Sequence, residues 1–386
     1  MVVSIQFADR LSEVTEYYFS RKLELIRQLR AKGHDVINIG IGSPDLPPPP
    51  RAVEAASSSL ACGNNHGYAS YRSTPELRVA MANWYERTYS VSVDPESQLL
   101  PLLGSKEGIF YLSMGLLNPG DGVLIPDPGY PAYSSAARLL GARVHRYNLS
   151  EANAWLPDIK ELERQDLGGC KLMWINYPHM PTGASGVEGA FHALAEFCWK
   201  RRILLCNDNP YGLVLNQSSP LSLLRCAGGS PFCAELNSLS KSFNMAGWRV
   251  GLLLAEKEVI DATLRVKSNV DSGMFLPVQH GAVAALATDN DWHRARNEIY
   301  QERRELVWRI FDRLGFSYDR KQVGLFVWAR APEAIPDVEV FFDELLESRH
   351  IFFTPGMVFG SNGIRYARAS LCASRERLSE ALRRLA

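Results

Sequence analysis

The feature that most constrains the fold is an alternation of short β-rich runs with longer amphipathic stretches between residues 36 and 255. Strand candidates are VINIGI, QLLPLL, GVLIP, ARVHRY, KLMWIN, RILLCND, AELNSLS and RVGLLLA. Helical stretches such as TPELRVAMANWYERTY and VEGAFHALAEFCWKRR lie between them. Strands that alternate with helices of this length favour a mostly parallel sheet covered by helices on both faces. The sequence therefore predicts an α/β fold.

The rhythm changes beyond about residue 275, where long helical stretches dominate, above all DWHRARNEIYQERRELVWRIFDRLG. We predict three parts: an N-terminal arm with part of a small domain at 1–49, a large sheet domain at 50–275, and a small α+β domain at 276–386. The run PPPP at 47–50 is typical of a stiff extended linker and marks the crossing between domains.

The composition favours small-molecule chemistry. Lys plus Arg and Asp plus Glu both number 42, so neither a nucleic-acid footprint nor a polybasic membrane patch is indicated. Seven cysteines with no Cys-x-x-Cys pair favour reduced thiols over a disulfide frame or a metal site. The first residues lack an apolar signal core, and we predict a cytoplasmic protein without nucleic-acid, membrane or metal partners.

Polar side chains follow the predicted strands at four places. They are Ser105 with Lys106, Asn176, Asp208 with Tyr211, and Ser238 and Ser240 with Lys241 and Arg249. Ligands of open α/β sheets gather at the carboxyl ends of the strands, and the free amides of a helix N-terminus hold phosphate. Each place alone is explained as a helix entry, a turn or a surface charge. Their coincidence at one edge of one sheet favours a single binding site.

Pyridoxal phosphate chemistry uses this set of groups. It needs a lysine that bonds to the cofactor's aldehyde and an acid beside the pyridinium nitrogen. We predict that Lys241 is this lysine and that Asp208 is this acid. Tyr211 would donate to the ring's phenolate oxygen, and Tyr130, in PDPGYPAY, would stack on the ring. The remaining predicted cofactor-binding residues are Asn176 and the phosphate ligands Ser105, Lys106, Ser238, Ser240 and Arg249.

With these motifs in this order, the chain resembles the class I/II aminotransferases of fold type I over essentially its whole length. The Ser-x-Ser-Lys segment followed by the arginine of GWRVG is the most specific match. The segments GSKEGI, PDPGYP, RVKSNVDSG and IYQERR are similar to those of LL-diaminopimelate aminotransferases. The resemblance implies that 50–275 binds the cofactor and that an amino group moves, by ping-pong transfer, between an amino acid and a 2-oxo acid.

The resemblance also implies three further site residues. Tyr68 would reach the cofactor phosphate of the neighbouring subunit, which predicts a homodimer with shared active sites. Gly42 would lie beside the substrate carboxylate, and Arg368 would bind that carboxylate in a bidentate manner. Arg365 is the alternative to Arg368, which we prefer because it directly precedes Ala-Ser-Leu.

Two features depart from the family pattern: residue 180, and the segment YRST, where the family's tyrosine segment commonly has glycine. Met180 stands in MPTG, where an asparagine that donates to the ring phenolate is usual. Two other functions remain open at this stage: a β-lyase that acts on sulfur amino acids, and a cofactor-binding regulator without turnover. Release of ammonia or pyruvate without an acceptor would favour the lyase, and a basic DNA-binding segment would favour the regulator.

Overall fold

The computed structural model describes residues 5–12, 14, 18–216 and 218–385. The strands in this part of the chain are β1 (Ile37–Asn38), β2 (Leu99–Leu102), β3 (Gly122–Asp127), β4 (Arg143–Asn148), β5 (Cys170–Ile175), β6 (Leu204–Asp208), β7 (Cys233–Ser238), β8 (Gly251–Leu254), β9 (Ser317–Tyr318), β10 (Phe326–Arg330), β11 (Ile351–Phe352), β12 (Thr354–Pro355) and β13 (Tyr366–Ser370).

The α-helices alternate with the strands as far as β8, and the longest of them, α12, comes after it. They are α1 (Tyr18–Ala31), α2 (Pro50–Leu60), α3 (Pro75–Tyr89), α4 (Ser105–Leu116), α5 (Pro131–Leu139), α6 (Ile159–Arg164), α7 (Glu188–Arg201), α8 (Leu223–Cys226), α9 (Leu239–Ser242), α10 (Lys257–Lys267), α11 (Leu276–Leu286), α12 (Asn290–Arg313), α13 (Val338–Arg349) and α14 (Arg375–Arg384). None of these described helices has the length and apolar character needed to cross a bilayer.

Seven strands form the central sheet in the order β2-β8-β7-β6-β5-β3-β4. The neighbours from β7 to β4 pair in parallel, whereas β8 runs antiparallel to both β2 and β7. The prediction of a mostly parallel α/β sheet is therefore confirmed. Because β8 is reversed, the residues that precede it lie at the same edge as the residues that follow β2, β5, β6 and β7.

Both faces of the sheet are buried, as period-2 alternation along β5 illustrates. Trp174 packs with Ile109 and Leu112 of α4 in one core cluster. Ile175 packs with Phe191 of α7 in a second cluster on the opposite face. Successive side chains of a strand point to opposite faces, so a nearly continuous apolar run is required when helices cover both.

The C-terminal part contains a second, antiparallel sheet in the order β12-β13-β10-β9. Its core joins side chains of α12, α13 and α14 to the sheet and also takes in Ile37 and Ile39 from the N-terminal segment. That segment is held by β1, which pairs in parallel with β11. VINIGI thus supplies only a two-residue strand, because its partner β11 is equally short.

Two details bear on the predicted division of the chain. Pro50 begins α2, where its missing amide hydrogen costs nothing, so the proline run is a helix start as well as a linker. Helix α11, which the predicted boundaries assign to the C-terminal domain, packs against α2 and α3. The boundaries at 49/50 and 275/276 stay predictions.

Candidate active site

A cavity of about 550 Å³ opens at the carboxyl edge of the central sheet. Of the thirteen predicted site residues, twelve line it: Lys241, Asp208, Tyr211, Ser105, Lys106, Tyr130, Asn176, Ser238, Ser240, Arg249, Gly42 and Arg368. The strand order explains this convergence, because β2, β5, β6 and β7 all end at this edge and β8 begins there. Gly42, from the segment after β1, and Arg368, from β13 of the C-terminal sheet, meet them in the same space although they are 326 positions apart.

One end of the cavity is a cationic cradle. Arg249 donates from Nη1 to the carbonyl oxygen of Ala246, 2.8 Å away, and its guanidinium lies over the turn that starts α4. A Cβ on Gly104 would stand 2.2 Å from Nη2 of Arg249, so only glycine allows this approach. Burial and the nearby Arg249 lower the pKa of Lys106. Free helix amides beside two cations provide a site for a phosphate-sized anion.

Two hydroxyl groups complete this cradle. Ser238 ends β7 and caps α9 by accepting from the amide of Ser240 over 3.1 Å. The hydroxyl of Ser238 also donates to that of Ser240, 2.8 Å away. The Ser-x-Ser spacing therefore fixes both hydroxyl groups through the start of a short helix.

Lys241 projects from α9 into the middle of the cavity, where its Nζ donates to the carbonyl oxygen of Gly42. The pKa of this lysine is lowered to about 8, mainly by burial; Cys372 opposes this shift, and the positive charges of Arg368 and Arg249 contribute to it. At pH 7 on the order of a tenth of the amine is therefore unprotonated, far more than for an ordinary lysine. An unprotonated lysine is the form that acts as a nucleophile or a base.

Asp208 is buried at the end of β6 on the cavity wall. Its Oδ2 accepts from the hydroxyl of Tyr133 over 3.0 Å, whereas its Oδ1 has no hydrogen-bond partner among the described residues. Burial raises the pKa of this carboxyl to about 7; the Tyr133 bond opposes that rise and the negative charge of Glu235 adds to it. Such a carboxylate is poised to accept from a cationic N–H group.

Sequence reasoning missed two residues that shape this carboxylate. Tyr133 lies one helical turn after Tyr130 and stacks on Trp174 at a centroid distance of 5.1 Å, which aims its hydroxyl at Asp208. Glu235 is a fully buried carboxylate in β7, and it accepts from the side chains of Asn207 and Asn209 on both sides of Asp208. A charged residue inside the apolar run CAELNS was the signal for Glu235.

The opposite end of the cavity is built around Arg368 of β13. Its guanidinium is buried, donates from Nη2 to the carbonyl oxygen of Gly40 over 2.8 Å, and lies 4.0 Å from the ring centroid of Phe326. Arg365 instead donates to backbone carbonyls at 332, 335 and 336 and does not line the cavity. The geometry favours Arg368 as the carboxylate ligand, and the role stays a prediction.

Met180 and Tyr211 lie between the two ends. The amide of Met180 donates to Oδ1 of Asn176 over 2.8 Å, which anchors the MPTG turn to the end of β5. The sulfur of Met180 lies 3.2 Å from Nη1 of Arg368. Tyr211 is buried with its ring 5.9 Å from that of Phe326. The thioether therefore contacts the predicted carboxylate ligand.

Tyr68 is the one predicted site residue outside the cavity, and its side chain is 92% exposed. It lies on the surface beside the loop at 268–273, because a Cβ on Gly273 would stand 2.8 Å from the carbonyl oxygen of Ala69. Lys267 holds this loop by a buried ion pair with Asp271 at 2.7 Å. The segment of Tyr68 and the loop at 268–273 thus adjoin on one surface.

The similarity of this chain to known proteins extends over nearly its full length. A family model described as "Aminotransferase class I and II" matches residues 34–385. LL-diaminopimelate aminotransferase of Desulforudis audaxviator is 38% identical over 379 residues, which cover 98% of this chain and 96% of that relative. The similarity therefore includes both ends of the cavity.

Solved structures agree with this assignment. The substrate-bound structure of BacF from Bacillus subtilis is 34% identical, with a TM-score of 0.93, and the match covers 99% of this chain and 97% of that one. Aspartate aminotransferase of Thermus thermophilus with maleate is 28% identical, with a TM-score of 0.91 and 99% of each chain covered. The resemblance inferred from the motifs is confirmed: this chain belongs to the class I and II aminotransferases.

Proposed function

We propose that this aminotransferase uses pyridoxal phosphate to move an amino group between an amino acid and a 2-oxo acid. The observation that carries the proposal is Oδ1 of Asp208, which is buried without a hydrogen-bond partner in the described part of the chain. Asp208 shares its cavity with Lys241 and Arg249. A protonated ring nitrogen would supply the donor that Oδ1 lacks, so the residues present fit this cofactor.

Other residues that line the cavity would bind different parts of the cofactor. Arg249, Lys106 and the hydroxyl groups of Ser105, Ser238 and Ser240 would bind its phosphate. Tyr211 would donate to its ring oxygen, while Tyr130 would pack on the ring and Asn176 would support the adjoining turn. When bound, pyridoxal phosphate supplies an electron sink for bond changes at the Cα atom of an amino acid.

Lys241 provides the acid–base chemistry in this proposal. Its lowered pKa, about 8, makes the amine a base that removes the Cα proton and then, as an acid, returns a proton. The first substrate would leave as a 2-oxo acid whose carbonyl oxygen comes from water, while its amino group would stay in the site, and a second 2-oxo acid would take up that amino group with release of water. The short contact of Nζ with the Gly42 carbonyl supports a fixed position for the amine.

Arg368 would hold the α-carboxylate of either substrate with its planar pair of donors, beside Gly42. The proposal includes a homodimer in which Tyr68 reaches the partner's cofactor phosphate; the 92% exposure of this tyrosine supports it. It also includes a cytoplasmic location, which is consistent with seven cysteines in the free thiol form.

The name of the curated relatives contains LL-diaminopimelate, so this compound is the first amino donor to assay. The purified protein is mixed with pyridoxal phosphate and borohydride, and peptide mapping is expected to find the label on Lys241. Donors are then screened for conversion of the bound cofactor to its amine form, with a 2-oxo acid needed for turnover. Labelling at Lys106 or Lys267 would refute the role of Lys241. Release of pyruvate and ammonia without an acceptor would identify a lyase.

A further inference from the structure

The two ends of the cavity leave a third surface that the proposed function does not use. Nine lining residues are not among the predicted site residues, and eight of these are apolar. The large ones are Phe19, Leu23, Ile41, Met180, Phe326 and Phe359. We propose that this surface is the subsite for the substrate's side chain and that it selects amino acids with an uncharged apolar side chain, aromatic ones included; the inference rests on the proposed function.

The position of this surface follows from Arg368. Its guanidinium lies 4.0, 4.7 and 5.4 Å from the ring centroids of Phe326, Phe359 and Phe19. A substrate whose α-carboxylate binds Arg368 and whose Cα faces Lys241 therefore has its side chain next to these rings. Gly42 permits the arrangement, because a Cβ there would stand 2.2 Å from the ring of Phe326.

Helix α1 provides the outer wall of the subsite. Its C-terminal half is fixed, because Ile26 is buried against Val36, Leu346 and Phe352. Phe19 and Leu23, one turn apart on the same helix, reach the cavity. Leu23 is 46% exposed at this wall, so a ligand side chain placed there would cover an apolar surface that is otherwise open to water.

The charges of the cavity argue against a charged substrate side chain. Among the described lining residues, the one carboxylate is Asp208 and the cations are Lys106, Lys241, Arg249 and Arg368. All five have roles in binding the cofactor or the α-carboxylate. A distal ammonium or carboxylate group would lose water against phenyl rings without gaining a dedicated charged partner among the described lining residues.

The test compares substrates that differ in side-chain charge. Single-turnover conversion of the bound cofactor is measured with phenylalanine, leucine, glutamate, lysine and LL-diaminopimelate. We expect the apolar amino acids to react at least tenfold more efficiently, since even one methylene group in a hydrophobic pocket discriminates by roughly 10- to 200-fold. A preference for LL-diaminopimelate or glutamate would overturn the inference and assign recognition of the distal group to residues outside this lining.

Two matched variants locate the subsite on α1. Leu23→Ala should lower the efficiency with phenylalanine about tenfold and leave that with alanine, whose side chain is too short to reach α1, nearly unchanged. Leu25→Ala is the control, because Leu25 is 38% exposed on the same helix but does not line the cavity. An equal loss with phenylalanine and alanine, or equal effects of the two variants, would refute the assignment.

A binding experiment decides the inference independently of turnover. Titration calorimetry with 3-phenylpropionate and with glutarate, in the presence and absence of cofactor, measures whether a phenyl group or a second carboxylate is preferred. Tighter binding of 3-phenylpropionate that weakens in Leu23→Ala supports the apolar subsite even if every transfer assay fails. Tighter binding of glutarate overturns it. Failure of all donors to convert the cofactor, by contrast, counts against the proposed function alone.

Discussion

The hydroxyl of Tyr133 donates to Oδ2 of Asp208 over 3.0 Å, and this bond lowers the pKa of a carboxyl that burial has raised. The ring of Tyr133 stacks on Trp174 with an interplanar angle of 6°, so the donor is held in place by packing. The tyrosine therefore helps to keep the buried carboxylate ionised, although it is not expected to touch the substrate.

Replacing Tyr133 by Phe should weaken cofactor binding at pH 7 on the order of tenfold to a hundredfold. A hydrogen bond to a charged group is worth about 1.5 to 3 kcal/mol, and its loss raises the pKa of Asp208 further. The defect should shrink as the pH rises and the carboxyl ionises. Absorbance titrations of cofactor binding between pH 6 and 9 measure both effects.

Tyr147→Phe is the matched control for this variant. Tyr147 is equally buried, but its hydroxyl donates to the carbonyl oxygen of Trp174 over 2.7 Å and not to Asp208. The Tyr147→Phe substitution should change the stability of the protein without changing its affinity for the cofactor. Equal losses of affinity in the two variants would contradict the role assigned to Tyr133.

Asp208→Asn should stabilise the protein without cofactor while abolishing tight cofactor binding. The folded carboxyl has a pKa of about 7, above its unfolded value near 3.9, so the folded state holds an extra proton between these limits. The contribution of Asp208 to stability is therefore fully present below about pH 4 and is lost as the pH rises to 7. The Asp208→Asn substitution should raise the free energy of unfolding by on the order of 2 to 4 kcal/mol at pH 7, because one unit of pKa shift corresponds to about 1.4 kcal/mol.

Urea unfolding of the cofactor-free protein at pH 5 and pH 7 measures this effect. The parent protein should lose stability from pH 5 to pH 7 relative to Asp208→Asn. Parallel pH profiles would show that Asp208 keeps an ordinary pKa in the folded chain.

Arg368→Lys should lower kcat/KM about tenfold to a hundredfold, because lysine keeps the charge but loses the planar pair of donors. Cofactor affinity should be retained. Arg365→Lys is the control, since Arg365 bonds to backbone carbonyls outside the cavity. If the Arg365 variant loses efficiency and the Arg368 variant does not, the carboxylate ligand has been assigned to the wrong residue.

Mixing Tyr68→Phe subunits with Lys241→Ala subunits should restore activity if each active site is shared. Any recovery above both parents in isolated heterodimers supports sharing. Tyr71→Phe, a change to another exposed tyrosine of the same segment, serves as the control and should stay active alone. Heterodimers that remain as inactive as both parents would contradict sharing.

Tyr211→Phe should be unusually damaging, and Met180→Asn should partly rescue it by supplying a donor to the ring oxygen. A thioether cannot donate, so the tyrosine carries a bond worth roughly 1.5 to 3 kcal/mol without help from residue 180. Since the sulfur of Met180 lies 3.2 Å from Arg368, the single Met180→Asn variant must be measured as well. A double-mutant cycle on single-turnover rates separates the two effects. If the effects of the two substitutions are strictly additive, Met180 only packs in the wall of the cavity.

The site could be predicted from the sequence wherever a polar residue closes a strand. Asp208 follows an apolar run, and Ser238 and Lys241 follow another, so one rule about parallel sheets brings them together. The rule says nothing about side chains that reach the site from other elements. Tyr133 and Phe19 lie on helices whose packing against the cavity depends on tertiary contacts, and single-sequence periodicity does not encode those contacts.

The fold shows the same limit. The apolar runs of the inner strands predicted the central sheet to within a few residues, because both faces of those strands are buried, whereas the edge strand β4 is largely exposed. The sequence predicted strand β1 to be longer than it is, because its length is set by its partner β11, more than 300 residues away. Tyr68 illustrates a further gap, because its proposed role depends on a second subunit and the contacts of one chain cannot test it.

The pairing of Ile37 with Ile351 has a consequence for the order in which the protein assembles during synthesis. The central sheet has all of its strands once Leu254 has left the ribosome, and domains generally fold as units during translation. The wall that contains α1 cannot dock until β11 and Arg368 have followed. We therefore expect a nascent chain that ends near residue 300 to hold a nearly finished cofactor cradle while its substrate side is still open.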